Sequence, residues 1–334
     1  MSIETAGLLF LLLALIAIFG YLILTKGYSL LQNLNKRHND YLNDKLEGFE
    51  NSKGKVKTID NTKEFFDNFY LERIDQAYYP ESKNLCRCSD LYKSAYLRIY
   101  PNNKTRTLLV GTNTGRYLDA LTGICPEVTG ITQYPELKDM ASRMAPKAKV
   151  LLGDAARDDE LFDKSTFTHV IFEDRSLYEF IDHNERKKAL ENVINWLEPG
   201  GRLILRVVDR EKFDPMVPTS VPIRGLNIQN YLNKRKQDSR VYFKDGSLID
   251  TNFTSIPSED RAVFREDLYD KNNTLLRTQI HRWAIPNRDA IIDEVSRFGL
   301  EHDQSLSLAP CTSPHETYEI FIKKEHISVL GLDE

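Results

Sequence analysis

The residues best suited to chemistry fall in three short stretches at the ends of apolar runs. The first, Leu108-Leu109-Val110-Gly111-Thr112-Asn113-Thr114-Gly115, sets two glycines just after a strand-like segment. Glycine permits a sharp turn and close approach of a ligand to the backbone, and a helix starting there adds unpaired amide donors. In a dinucleotide enzyme such donors hold a pyrophosphate, but that fingerprint needs three glycines and position 113 is Asn. A tight turn that holds nothing is the plainer alternative. The second stretch, Gly153-Asp154-Ala155, offers a carboxylate that either accepts from a ligand or caps the turn through Asp158-Asp159-Glu160. The third, Leu197-Glu198-Pro199-Gly200-Gly201, stops a helix and turns the chain.

Glu173, Glu179, His183 and His281 are the candidates for moving a proton. The sequence singles out none of them, because charged loop residues are ordinarily just solvated. The four cysteines, Cys86, Cys88, Cys125 and Cys311, lack the spacing of a zinc site, so no metal is expected and reduced thiols fit best.

The elements that must position these groups follow from periodicity. Strands are expected near 107–111, 127–132, 148–152, 168–173 and 202–208, with helices over 114–123, 135–144 and 184–197. The last helix is the clearest, with Ala189, Leu190, Val193, Ile194 and Leu197 on one face. Strand–helix alternation demands a parallel sheet with right-handed crossovers. The pattern changes after Asp209: hairpins are expected around Asp245-Gly246 and around Asp270-Lys271-Asn272-Asn273. A helix over 287–298 and strands near 300–306 and 316–323 close the chain. The cluster Lys234-Arg235-Lys236 reads as solvated loop.

With 334 residues the chain has room for one large domain plus accessories. Its net charge of −4 leaves no basic excess to meet phosphates, so no nucleic-acid partner is expected. Residues 6–24 form an uncharged apolar run that, at about 1.5 Å per residue, nearly matches a hydrocarbon layer of roughly 30 Å. The basic start of a cleaved signal is missing, and Lys26, Lys36 and Arg37 lie just beyond the run. A retained single-pass anchor at 1–25 is therefore expected, with the C-terminal bulk facing the cytosol. The three Asn-x-Thr triplets at Asn103, Asn252 and Asn272 would then stay unmodified. A juxtamembrane helix and linker at 26–61, a main domain at 62–325 and a tail at 326–334 complete the division.

Over roughly residues 62 to 323 the chain resembles the class I S-adenosylmethionine-dependent methyltransferases. Val110 to Gly115 looks like a worn version of the family's first motif, with Leu109 where relatives carry an acid and Asn113 where they carry a glycine. Val128-Thr129-Gly130-Ile131-Thr132-Gln133 resembles the end of the family's second strand, and Leu197 to Gly201 is similar to its leucine-x-proline-glycine-glycine turn. The resemblance implies a doubly wound, mostly parallel seven-stranded Rossmann-like sheet with helices on both faces, and S-adenosylmethionine as cofactor. It implies that Gly111, Thr112, Asn113 and Gly115 receive the methionine end, Thr132 and Gln133 the ribose, and Asp154 and Ala155 the adenine. Residues 209–283 would form a cap over a small-molecule or lipid acceptor, its aromatics Phe213, Tyr231, Tyr242, Phe243, Phe253, Phe264, Tyr269 and Trp283 lining a cavity or simply packing. The departures at 109, 113 and 132 keep open a catalytically inactive binding or scaffold protein. A nicotinamide-dependent reductase is the third reading, disfavoured by the missing glycine.

Overall fold

Runs of β-branched and aliphatic residues separated by amphipathic helices build one sheet. In the computed structural model the described residues are 57–60, 68–78, 104–213, 221–222, 235–256, 259–308 and 315–324. The strands are β1 (Lys57–Asp60), β2 (Arg106–Val110), β3 (Glu127–Thr132), β4 (Lys149–Leu152), β5 (Phe167–Phe172), β6 (Leu197–Val208) and β7 (Val221–Pro222). They continue with β8 (Arg235–Tyr242), β9 (Leu248–Ile256), β10 (Arg261–Tyr269), β11 (Leu275–Ala284), β12 (Leu300–Ser307) and β13 (Glu316–Lys323). The α-helices are α1 (Asn68–Tyr78), α2 (Arg116–Thr122), α3 (Pro135–Met144), α4 (His183–Trp196) and α5 (Arg288–Ser296), with a 3-10 turn at Ser176–Glu179.

The seven-stranded sheet runs β12-β13-β6-β5-β2-β3-β4. Its five central and edge strands from β6 to β4 pair in parallel, and β13 and β12 join antiparallel. Alternation along the strands feeds two cores. Leu108, Val110, Val170 and Phe172 pack toward Ala189, Leu190 and Val193 of α4. Leu109, Ile171 and Ile204 pack toward Leu118, Leu121 and Ala141 of α2 and α3. Helices thus cover both faces, as expected of a doubly wound sheet.

Asp182 caps α4 by accepting from the Asn184 amide at 2.6 Å. Downstream, β6 starts at Leu197, opposite Phe167, and the register then jumps to Arg202 opposite His169. The Pro199-Gly200-Gly201 segment is therefore a bulge within a strand, with Gly200 at φ 77°.

Both expected hairpins exist, but they belong to a second sheet of order β1-β11-β10-β9-β8-β7. Parts of this sheet lay outside the sequence expectation. Lys57–Asp60 pairs parallel with β11, and Arg235 and Lys236 lie in β8 rather than in a loop. Near a sheet edge flanked only by the two-residue β7, charged residues are tolerated in a strand, which is why the charge run misled. The inner face of this sheet carries Phe253, Phe264 and Trp283, with Phe264 and Trp283 stacked at 5.6 Å and Phe213 against Phe253 at 6.1 Å. These aromatics are core, whereas Tyr242 is 64% exposed and Tyr231 lies outside the described residues. Cys125 is a buried free thiol. Among the described residues no helix is long and apolar enough to cross a membrane; the run at 6–24 lies outside them.

Candidate active site

The sheet order places β2 between β3 and β5, so consecutive connections leave β2 in opposite directions. A crevice opens at such a switch point, beyond the carboxyl ends of the strands. Here it is a cleft of about 200 Å³. Its floor is Val110 and Gly111 after β2; Thr132 and Gln133 end β3 on one side, and Asp154 and Ala155 follow β4. Across from them stand Ser176, Glu179, Phe180 and Ile181, from the segment after β5.

Five of the eight residues singled out for the cofactor thus share one cleft: Gly111, Thr132, Gln133, Asp154 and Ala155. Thr112, Asn113 and Gly115 do not line it. The first loop is folded on itself and on its neighbours. The Gly115 amide donates to the Thr112 carbonyl at 3.0 Å. Gly111 (φ 81°) donates its amide to Ile131 O, and a Cβ there would lie 2.4 Å from the Cβ of Ser176. Gly115 (φ 95°) would put a Cβ 2.6 Å from the Ala141 Cα. Both glycines are demanded by backbone conformation and by close packing. Asn113 also has positive φ (48°), and its amide donates to Asp174 at 3.0 Å. Asp174 pairs in turn with Arg175 at 3.0 Å, which stands 5.1 Å over the Trp283 ring of β11. Arg175 and Arg206 hold the Asp174 carboxyl below the usual range, although burial works the other way.

Asp154 caps its own turn and also lines the cleft. Its Oδ1 accepts from the Ala156 amide at 2.9 Å, an Asx turn, while its own amide donates to Asp158 Oδ2 at 2.8 Å. Its other oxygen lies 3.6 Å from Arg157. Asn192 fixes the same turn by donating to the Ala155 carbonyl at 2.9 Å. Thr132 is nearly buried and accepts from the Tyr134 amide at 3.3 Å; Gln133 is exposed and donates to the Tyr134 hydroxyl at 3.1 Å.

The four proton-transfer candidates separate cleanly. Glu173 is buried and accepts from the Tyr318 hydroxyl and, at 3.3 Å, from Arg206. His183 is exposed, 3.5 Å from Glu294. His281 meets Glu266 at 2.8 Å on the second sheet. Of the four, only Glu179 lines the cleft, where burial and then Asp174 push its carboxyl up to about 7 despite Arg175. Ser176, Phe180, Ile181 and Glu185 also line the cleft, and no sequence motif pointed to them. The Phe180-Ile181 pair soon after the strand expected at 168–173 was the available signal, since two apolar residues seldom follow a strand end without something to cover them.

The donor set suits a nucleoside. Phe180 and Ile181 offer an apolar wall for a flat base, Asp154 a carboxylate acceptor, and Thr132 and Gln133 a hydroxyl and an amide for a sugar. Comparison with known proteins bears on the fold. Residues 108–205 match the family model described as a methyltransferase domain. The fold superposes on the CcbJ methyltransferase from Streptomyces caelestis with a TM-score of 0.57, at 14% identity over 78% of this chain and 100% of that one. It superposes on an S-adenosylmethionine-dependent methyltransferase from Clostridium acetobutylicum with a TM-score of 0.53, at 12% identity over 77% and 99%. A sugar N-methyltransferase from a Streptoalloteichus species gives 0.52, at 15% identity over 78% and 94%. No curated protein matches the chain by sequence. Residues 108–205 thus match a methyltransferase-domain model, and the fold around them is that of the Rossmann-like methyltransferases.

Proposed function

We propose that the chain transfers a methyl group from S-adenosylmethionine to a small-molecule acceptor. The cleft beyond β2, β3 and β4 carries the reading, because the five expected residues converge there although they come from three separate loops. In this reading Asp154 and the backbone at Ala155 take the adenine, Thr132 and Gln133 the ribose, and Gly111 the methionine end. The cofactor supplies an already activated methyl, so the protein's task is alignment of donor and acceptor. The likeness to a sugar N-methyltransferase supports a polar acceptor of modest size.

Calorimetry of the purified full-length chain with S-adenosylmethionine tests this directly. Binding with a one-to-one stoichiometry is expected. A second reading, an inactive methyltransferase-fold scaffold, is favoured by Ser176 packed on Gly111 and by Asn113 bonded to Asp174, which together occupy the loop's outer side. Absence of binding at near-millimolar cofactor would select it.

The apolar run at 6–24 and the basic residues after it support a further part of the proposal. Residues 1–25 anchor the protein in a membrane, with 26–61 as spacer and 62–325 working on the cytosolic side. Such an anchor suits a lipidic acceptor as an alternative to a soluble one.

A further inference from the structure

Resting on the reading just given, we propose that Glu185 is a positioning residue for the adenine end of the cleft: it holds the Arg157 guanidinium off Asp154 and so leaves a carboxylate oxygen for the amino group of the base. Asp154 and Arg157 stand three residues apart in one turn, where the amides of Arg157 and Asp158 both donate to the Asp154 carbonyl. At that spacing an acid and a base ordinarily close on each other. Here they do not. Arg157 Nε lies 3.6 Å from Asp154 Oδ2, beyond hydrogen-bond reach. Arg157 Nη2 instead donates to Glu185 Oε1 at 3.1 Å. Glu185 belongs to the first turn of α4, 28 residues further along, where a carboxylate suits the positive end of a helix. All three side chains belong to residues that line the cleft.

The consequence falls on one oxygen of Asp154. Its Oδ1 is engaged by the Ala156 amide at 2.9 Å. Its Oδ2 accepts from no described residue within hydrogen-bond distance, although the side chain is only 18% exposed. A carboxylate oxygen so nearly buried is costly to leave without a donor, and the amino group of a base supplies one. Arg157 is the competitor. Moving from 3.6 Å to the roughly 2.8 Å of a charge-assisted bond would give it that oxygen, and a guanidinium outcompetes a neutral amino group there. Asp158, the other acid of the turn, is held by the Asp154 amide at 2.8 Å, so Glu185 is the acceptor that keeps Arg157 occupied. Arg157 is 68% and Glu185 47% exposed, so the pull is modest, about two- to fivefold in an equilibrium constant. That suffices to decide between two acceptors lying so close to one donor.

The test uses the full-length chain and three probes: S-adenosylmethionine, adenosine, and purine riboside, which is adenosine without its amino group. Calorimetry gives Kd for the first, and competition against the radiolabelled cofactor gives it for the other two. Wild type should prefer adenosine to purine riboside. Glu185→Gln should weaken S-adenosylmethionine and adenosine alike, by about two- to fivefold, and leave purine riboside unchanged. Equal losses for the cationic cofactor and the neutral nucleoside separate a moving Arg157 from a general loss of negative charge at the cleft. Adding Arg157→Met should restore both affinities, because the competitor is gone; a purely structural role for Glu185 predicts no such rescue. A Glu185→Gln protein that binds all three probes as wild type does, that loses purine riboside equally, or that stays weak in the double variant overturns the positioning role and leaves the methyltransferase reading standing. So does a wild type that holds purine riboside as tightly as adenosine. Failure of wild type to bind any of the three removes the reading underneath.

Discussion

Gly111 and Gly115 show how a motif residue earns its place twice over. Each sits at positive φ, and each meets a neighbour where a side chain would begin: Ser176 for one, Ala141 for the other. Gly111→Ala should therefore destabilise the fold by about 1–3 kcal/mol, measured by urea unfolding. Adding Ser176→Gly should recover the steric share and leave the conformational share in place; no recovery would mean that Ser176 is not the obstacle. Asp154→Ala should weaken S-adenosylmethionine binding by about 1–3 kcal/mol, the range for losing a hydrogen bond to a charged group. Unchanged affinity in calorimetry would remove Asp154 from the cofactor site. The residue types of this site were legible in the chain, since glycine after a strand and Asp before a turn are local signals. Their partners were not. Nothing at position 176 announces contact with position 111, because the two meet only when β5 pairs beside β2.

Among the elements, β5, β6 and β13 are joined by a buried ionic cluster at their carboxyl-edge side. Arg206 donates to Glu316 at 2.8 Å, to Glu173 at 3.3 Å and to the Tyr117 hydroxyl at 2.9 Å. Arg206→Met would strand two nearly buried carboxylates and should cost about 3–5 kcal/mol in chemical denaturation. A loss below 1 kcal/mol would show that the carboxylates find other partners. His169, also on β5, is buried, and burial followed by Arg202 lowers its pKa to about 3. Below about 6.5 the unfolded chain binds a proton that the folded imidazole refuses. Stability should thus fall between about pH 6.5 and 3, by up to about 1.4 kcal/mol per pH unit from this group. His169→Leu should flatten that decline, read as the urea midpoint at successive pH values. Helix α4 was readable from its apolar face, although Pro199-Gly200 falls in the bulge of β6 and not at the helix end. Strand β1 was not: four residues of mixed character become a strand only because β11 offers an edge.

For the molecule as a whole, cofactor binding should raise the unfolding temperature, with about 2.7 kcal/mol gained at a hundredfold excess over Kd. A flat melting temperature up to millimolar cofactor would favour the scaffold reading. Protease added to sealed membranes should digest residues 60–334 from the cytosolic face; a protected domain would reverse the proposed orientation. Alternating strands and helices made the seven-stranded sheet legible, because periodicity is a local property that the parallel topology then amplifies. The second sheet was legible only as hairpins; β9 and β10 join them, and the edge strand β1 pairs with β11 from far along the chain.

One arrangement gives the protein an optical gauge of its own. The chain has two tryptophans. Trp196 is sealed in α4 with its indole NH bonded to Asp159 O at 3.2 Å, while Trp283 lies beneath the guanidinium that leads, through Asp174, to Asn113 of the first loop. Emission from the second indole should change whenever that arm is lifted, so a rearrangement of the first loop would be visible as light from the neighbouring sheet without any label.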